Sequence, residues 1–353
     1  MITLSSDVLS MSGEGAALLQ NRRLVYANAA ARAILGEDCV GKGVRELFGA
    51  EIAEAQAGSF IASVPIAGKS RLLRFSREEN MQVVFFSRPE SCEDLLSEGS
   101  LQAMRAGLMN ISLAAGNGRR MAEELGSEAL SGCFGTLSRE YYRLSRLLSN
   151  ISAARGILTG DLPMALCTVD LGAMVSDLAD SLSILRPDVE LAFTAERRVL
   201  LWADPQLLEL MLLNLLSNCY CHAAGLRRIR VELLGLSDRV YLTVRDDGCG
   251  IPAERMCSLF HRYRAARGLH ELPAGAGLGL TVIRGIAEAH GGALLLESRE
   301  GAGTMLRLSL ARSPGGQPPL GEKAVPYCSR MENLLTGLAD CLDEKCFRAR
   351  YSE

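Results

Sequence analysis

Two runs of apolar side chains spaced by three and four residues constrain this chain more than any other feature. Leu101, Met104, Leu108, Ile111 and Ala115 form the first run, and Phe134, Leu137, Tyr141, Leu144, Leu148 and Ile151 the second. Such steps place every member on one stripe of an α-helix, a heptad seam. The segment ELGSEALSG between them contains the glycines and serines at which a chain reverses. An antiparallel helical hairpin over 93–156 follows. Its two stripes carry more apolar surface than two helices can cover by themselves. A homodimer closing a four-helix bundle is one way to bury it; packing against the rest of the same chain is the other.

The hairpin divides the chain into unlike parts. Before it, residues 1–90 mix strand-like runs, LVYAN and MQVVFFS, with short helical pieces, as an α+β domain does. After it, VDLGAMVSDLADSL reads as an amphipathic helix capped by Asp170, and VELAFT and RVLLW read as strands. Asp204-Pro205 opens a long helix through LLELMLLNLLSNCYCHA, with aspartate as cap and proline at the first helical position. IRVELL and VYLTVR form a strand hairpin. A helix over 278–290 and the strands ALLLES and TMLRLSL then complete an α/β sandwich over 159–312, a mixed sheet with helices on one face. SPGGQPPLGE reads as a linker, and the tail at 329–347 as a short amphipathic helix within the last segment, 313–353. The fold class expected is α+β multidomain.

Composition removes several function classes. The chain has 353 residues, 48% of them hydrophobic, enough for packed cores. Its 38 basic and 41 acidic residues leave a net charge of −3, which offers no general attraction to nucleic acid or to an anionic membrane. No apolar run approaches the roughly 20 residues of a membrane span. With no basic n-region at the start, a cytoplasmic protein is expected. Eleven cysteines form no C-x-x-C pair, as suits free thiols in a reducing compartment. Cys219-x-Cys221-His222 does not suffice for a closed zinc site, which takes four ligands at recognisable spacing.

Chemistry concentrates in the sandwich. Asn214 and Asn218 lie four apart on the long helix, so their amides share a face. Amide oxygens suit Mg²⁺ bridging nucleotide phosphates. Asp246-Asp247-Gly248-Cys249-Gly250-Ile251-Pro252 puts a carboxylate at a strand end before a glycine-rich turn. LFHRYRA follows, then Gly275-Ala276-Gly277-Leu278-Gly279-Leu280 at a helix entry, then Gly301-Ala302-Gly303-Thr304 ahead of a strand. Alternating glycines at a helix entry allow close approach of phosphates. The spacing is neither the dinucleotide fingerprint nor a Walker loop.

In this order the set resembles the GHKL ATP-binding domain shared by gyrase, Hsp90, MutL and the histidine kinases, and is most similar to that of the sensor histidine kinases. NLLSNCYCHA resembles the N box, DDGCGIP the first glycine box, LFHRYRA the F box, GAGLGL the second glycine box and GAGT the last. The resemblance implies ATP and Mg²⁺ as cofactors, with Asn218 holding the metal and Asp246 accepting a hydrogen bond from the adenine amino group. It further implies ATP contacts from Asn214, His222, Gly248, Gly250, Gly275, Gly277, Leu278, Gly279 and Thr304, under a lid containing Arg262, Arg264 and Arg267. The hairpin is placed like the dimerisation and phosphoacceptor helices of these kinases. LVYANAAARAILGEDCVGKGVRELF resembles the middle of a PAS sensor domain. A response regulator or a partner kinase is the partner such a protein implies.

Two positions depart from the family pattern. Cys221 stands where the N box usually carries a lysine. In LQAMRAGLMNI, laid on His-Glu-Leu-Arg-x-Pro-Leu, Arg105 and Leu108 match, Gly107 stands at the proline and Gln102 at the acceptor histidine. The four histidines, His222, His261, His270 and His290, all lie in the ATP-binding segment. An amide nitrogen whose lone pair is delocalised into its carbonyl does not attack a phosphoryl group. The chain therefore reads as a degenerate kinase. Alternatives are an unusual acceptor such as Ser112 or an external one, a serine kinase of the anti-sigma type, and an Hsp90- or gyrase-like ATPase. The last is disfavoured because Asn214 replaces the glutamate base and cannot take a proton from water.

Overall fold

The computed structural model describes residues 15–55, 59–66, 69–78, 81–86, 97–195, 198–256, 278–313 and 331–347. The N-terminal part is an antiparallel sheet in which β1 (Gly15–Gln20) lies between β2 (Arg23–Ala27) and β5 (Met81–Phe86), followed outward by β4 (Lys69–Glu78) and β3 (Ser59–Ile66). Three short helices, α1 (Ala29–Leu35), α2 (Val44–Phe48) and α3 (Ala50–Glu54), connect β2 to β3. Asn28 caps α1, its Oδ1 accepting from Ala31 N at 2.9 Å and from Ala16 N at 3.0 Å, so one side chain also ties the helix to β1. Phe48, Phe60, Phe75 and Phe86 fill the core beneath; Phe60 and Phe75 stack at 4.5 Å.

The hairpin consists of α4 (Glu98–Glu124) and α5 (Glu128–Thr159), which reverse within the expected glycine–serine segment. Ser97 and Ser127 cap the two helices. Gly118 lets them close up, since a Cβ there would lie 2.2 Å from the Phe134 ring. The seam residues divide. Leu101, Ala115, Leu148 and Ile151 are buried, whereas Met104, Ile111, Leu137 and Leu144 stay 42–50% exposed.

The sandwich begins with β6 (Cys167–Asp170) and α6 (Leu171–Leu185), continues through β7 (Glu190–Ala195) and β8 (Leu200–Ala203), and reaches the long helix α7 (Pro205–His222). Strands β9 (Arg228–Gly235) and β10 (Arg239–Asp246), helix α8 (Leu278–Ala289), and strands β11 (Ala293–Ser298) and β12 (Thr304–Ala311) follow. The sheet runs β11-β12-β10-β9-β7, antiparallel except for the parallel pair β7–β9; β6 and β8 make a separate pair. This is the mixed sheet expected. Its leucine- and valine-rich inner face packs under α6, α7 and α8.

One junction was not foreseen. Strand β11 pairs antiparallel with β3, matching Leu295 to Ala62, Leu296 to Ile61 and Glu297 to Phe60. The N-terminal sheet and the sandwich sheet thereby become one sheet of ten strands. Edge strands expose unpaired backbone donors and acceptors, and joining two edges satisfies both. Local periodicity carries no trace of which edge meets which.

The tail folds as α9 (Met331–Gly337) and a 3-10 turn at Glu344–Phe347. Leu334, Leu335, Leu338, Leu342 and Phe347 enter the main core, so the tail is a structural member of the molecule.

Candidate functional site

Helix α7 is buried on nearly every side: Leu208, Glu209, Met211 through Ser217 and Cys219 all lack significant exposure. A helix apolar around its circumference must be covered all round. Asp204 fixes its start by accepting from Gln206 N at 2.9 Å and Leu207 N at 3.1 Å through Oδ1, and from Ala165 N at 2.7 Å through Oδ2. His290 supports the same corner. Its Nδ1 donates to Ile286 O at 2.8 Å and its Nε2 accepts from Asp204 N at 3.2 Å, which defines a neutral tautomer. Burial lowers the His290 pKa accordingly.

The far end of α7 meets the turn after β10. Asp246 is buried, and its Oδ1 accepts from Gly248 N at 3.0 Å and Thr304 N at 3.2 Å. Both bonds fall on one oxygen, so Oδ2 is engaged by neither. Burial raises the carboxyl pKa; the two backbone bonds act against that rise. Asp247 turns the other way and accepts from Arg227 N and Arg228 N, both at 2.9 Å, pinning the turn to the start of β9. Gly248 lies against the helix end, for a Cβ there would stand 2.3 Å from Ala223 Cβ. Gly250 takes φ +66° and a Cβ on it would meet Arg299 O at 2.0 Å, so two conditions demand glycine. Ser298 completes the cradle: its Oγ accepts from Ile251 N at 2.8 Å and sits 2.9 Å from Thr304 Oγ1. It lay unmarked inside a strand pattern in the sequence.

Asn214 and Asn218 share the face that their spacing implies. Both amide oxygens converge on Gly279 in the first turn of α8, where an added Cβ would stand 3.1 Å and 3.7 Å from them. Their surroundings differ. Asn214 is fully buried in a reciprocal amide pair with Asn150 of α5: Asn150 Nδ2 donates to Asn214 Oδ1 at 3.2 Å, and Asn214 Nδ2 donates back at 2.9 Å. Arg146 Nη2 approaches the same Oδ1 at 3.5 Å. Asn218 is half-buried and keeps its oxygen toward α8. An uncharged amide oxygen at a half-open position is a suitable donor for Mg²⁺, which retains most of its water. His222, the last residue of α7, is exposed.

Leu278 packs between the sandwich and the hairpin, touching the cluster of Leu101, Leu148 and Ile151. Gln102 is exposed on the first turns of α4, next to Leu101. Gly275, Gly277, Arg262, Arg264 and Arg267 lie outside the described residues. The described site residues fall into two groups, Asp246, Gly248, Gly250 and Thr304 at the turn after β10, and Asn214, Asn218 and Gly279 between α7 and α8, with Asn150 and Arg146 of the hairpin beside Asn214. A polar residue between the buried Leu148 and Ile151 was the sequence signal for Asn150.

Residues 203–314 match the family described as histidine kinase-, DNA gyrase B- and HSP90-like ATPase. The signal transduction histidine-protein kinase AfsQ2 of Streptomyces coelicolor is 30% identical over 187 residues, 53% of this chain and 34% of that protein. The sensor histidine kinase ZraS of Salmonella typhimurium is 33% identical over 182 residues, 49% of this chain and 36% of that one. Residues 203–314 thus carry this ATPase domain, and about half of the chain is similar to sensor histidine kinases. Its ATP-binding domain is of the GHKL type. The chain spans about a third of the length of these curated relatives. Among solved structures, full-length ShkA in complex with AMPPNP is 18% identical, covering 66% of this chain and 48% of that one with a TM-score of 0.48.

The Asn150–Asn214 pair is a buried strut between hairpin and ATP-binding domain. Replacing Asn150 by alanine removes both bonds of the pair, leaving Asn214 its bond to Leu210 O and the longer approach of Arg146, and is expected to cost about 1 kcal/mol. Adding Asn214→Ala is expected to cost less than it does alone, because the shared bonds are already gone. Urea unfolding of the two single variants and the double variant measures the coupling; fully additive losses would contradict the strut.

Proposed function

We propose that this chain is a histidine kinase-like signalling protein that binds ATP with Mg²⁺ and does not phosphorylate its own hairpin. The observation that carries the nucleotide reading is Asp246, a buried carboxylate whose one oxygen is oriented by two backbone donors while the other is engaged by neither. Such a group is a pre-oriented acceptor for an exocyclic amine such as the adenine amino group. Asn218 supplies the metal donor, and Asn214, His222, Gly248, Gly250, Leu278, Gly279 and Thr304 frame the nucleotide. Gly275, Gly277, Arg262 and Arg264 belong to this reading through the family resemblance. Mg²⁺, when bound, neutralises phosphate charge.

Gln102 carries the second half of the proposal. Aligned with the family motif it falls at the acceptor position, and it is exposed on α4 beside Leu101, a member of the cluster that Leu278 packs against. Its position suits an acceptor and its chemistry does not, since the amide lone pair is delocalised. Signalling then proceeds through nucleotide-dependent conformation or through a partner, a response regulator or another kinase. The strand order β2-β1-β5-β4-β3 with helices between β2 and β3 supports a PAS-like sensor at the N-terminus. A homodimer through the hairpin is supported by the four seam residues left exposed, Met104, Ile111, Leu137 and Leu144. A cytoplasmic setting fits the described cysteines, all of them free thiols. No described helix is long and apolar enough to cross a membrane.

Asp246→Asn replaces an obligate acceptor by a group that also presents donors. Affinity for a fluorescent ATP analogue is expected to fall at least several-fold, in line with roughly 1–3 kcal/mol for a mismatched buried polar group; unchanged affinity refutes the pocket.

Incubation with γ-labelled ATP and Mg²⁺ is expected to leave no acid-labile phosphate on peptides spanning 93–156. Acid-labile label there overturns the degenerate reading, and acid-stable label on Ser112 assigns a different acceptor. Gain of label in Gln102→His is the expected positive control.

Light scattering is expected to report a dimer for the parent. Charged residues at Leu108 and Leu144 should dissociate it, because an unpaired buried charge is costly; a monomeric parent contradicts the assignment.

A further inference from the structure

The tail meets α7 at two thiols. It is held there independently of them, by the buried leucines of α9 and its following turn and by Gly337, where an added Cβ would lie 2.7 Å from Leu213. Asp340 accepts from Arg143 Nε at 2.8 Å and Arg146 Nη1 at 2.6 Å, both on α5. Arg186 Nη1 donates to Cys341 O at 2.7 Å. This fixes the backbone of Cys341. Its Sγ lies 4.0 Å from Ser217 Oγ, which in turn lies 3.7 Å from Cys221 Sγ. Both sulfurs therefore flank the Ser217 hydroxyl, and the Cys341 thiol also donates to Leu338 O at 3.2 Å. Cys221 is exposed, whereas Cys341 is half-covered by the tail. One thiol reachable from solvent and a second shielded behind it is the arrangement of an attacking and a resolving cysteine.

We propose that Cys221 and Cys341 form a reversible redox pair, converted to a disulfide by hydrogen peroxide or another hydroperoxide, which latches the tail onto α7 beside the nucleotide cradle. The Cys221 thiolate attacks the peroxide oxygen, forming an S–O bond as the O–O bond breaks. Hydroxide leaves and takes up the proton lost from Cys221, giving water and a sulfenic acid. The sulfur of Cys341 then displaces that oxygen; the S–S bond forms, the S–O bond breaks, and the Cys341 proton departs with the oxygen as a second water. Two thiols have supplied the two electrons that reduce the peroxide.

Electrostatics supports the order of attack. The neighbouring Cys341 thiol brings the Cys221 pKa down against the opposing effect of burial; Ser217 and Arg146 assist and Asp340 opposes. The Cys341 thiol moves up, through its interaction with Cys221 and its burial. Cys341 lies in the turn after α9, outside any helix, where the chain can adjust as the sulfurs close to about 2.05 Å. Oxidation would hold Asp340 over Arg143 and Arg146, and through them keep α5 against α7.

The test uses the full reduced chain, treated with increasing hydrogen peroxide, alkylated, digested and mapped by mass spectrometry. A crosslinked peptide containing Cys221 and Cys341, released by dithiothreitol, is expected. Cys221 joined to another cysteine, or driven to sulfinic acid while Cys341 remains alkylatable, overturns the proposal. No substitution is needed for this measurement. In Cys341→Ser, peroxide should leave Cys221 as a sulfenic acid trapped by dimedone; absence of the adduct in folded variant protein overturns the assigned order. Proteolysis of the tail should slow by at least about tenfold on oxidation, as a crosslink that suppresses local opening requires. Equal cleavage rates would show that the bond is no latch.

Discussion

The rest of the molecule is arranged around the covering of α7. Ten of its residues are buried, three of them polar: Glu209, Asn214 and Ser217. A buried polar group without a partner costs about as much as several buried methylenes contribute. Each of the three is matched by a different neighbour. Glu209 accepts from Asn333 Nδ2 at 2.8 Å, Asn214 pairs with Asn150, and Ser217 meets Cys221 and Cys341. Two of these partners come from the tail and one from the hairpin. The polar positions of a single helix thus dictate which distant segments close over it, while its leucines supply the bulk of the apolar contact.

A second consequence is mechanical continuity. The N-terminal sheet is joined to the ATP-binding domain by backbone pairing of β3 with β11, and Ser63 hydrogen-bonds Glu288 across the same junction. The hairpin reaches the same domain by other routes. A Cβ on Gly285 of α8 would stand 2.5 Å from Ile157 of α5, and Arg119 on α4 donates to Phe347 O of the tail at 3.2 Å. Helix α8 is therefore in contact with both the upstream sheet and the hairpin.

Much of this was legible in the chain itself, for identifiable reasons. Strands with alternating apolar residues, such as RIRVELLG of β9, and capped helices, such as α6 after Asp170 and α7 after Asp204, carry their signals within a few residues. The ATP-binding motifs were legible because order adds specificity that single motifs lack. The β3–β11 pairing was not, because edge complementarity involves segments more than two hundred residues apart. The tail reads only as a short amphipathic helix, although LLELMLLNLL, apolar on every side, already requires another element to cover α7. That signal was present and lay in the helix, not in the tail.

Leu278 packs against the hairpin cluster of Leu101, Leu148 and Ile151, and Gln102, next in sequence to Leu101, stands exposed. Leu278 belongs to the second glycine box and stands one residue before Gly279, on which the oxygens of Asn214 and Asn218 converge. Any rearrangement of that loop on nucleotide binding must either preserve the packing of Leu278 on the hairpin or move it. A ligand shifts such an equilibrium only by the difference in its affinity for the two arrangements, and no chemistry at residue 102 enters that difference. Gln102 is exposed beside this packing. The apolar contact through Leu101 and the amide strut through Asn150 both act on the hairpin's position, and neither needs phosphate to be transferred.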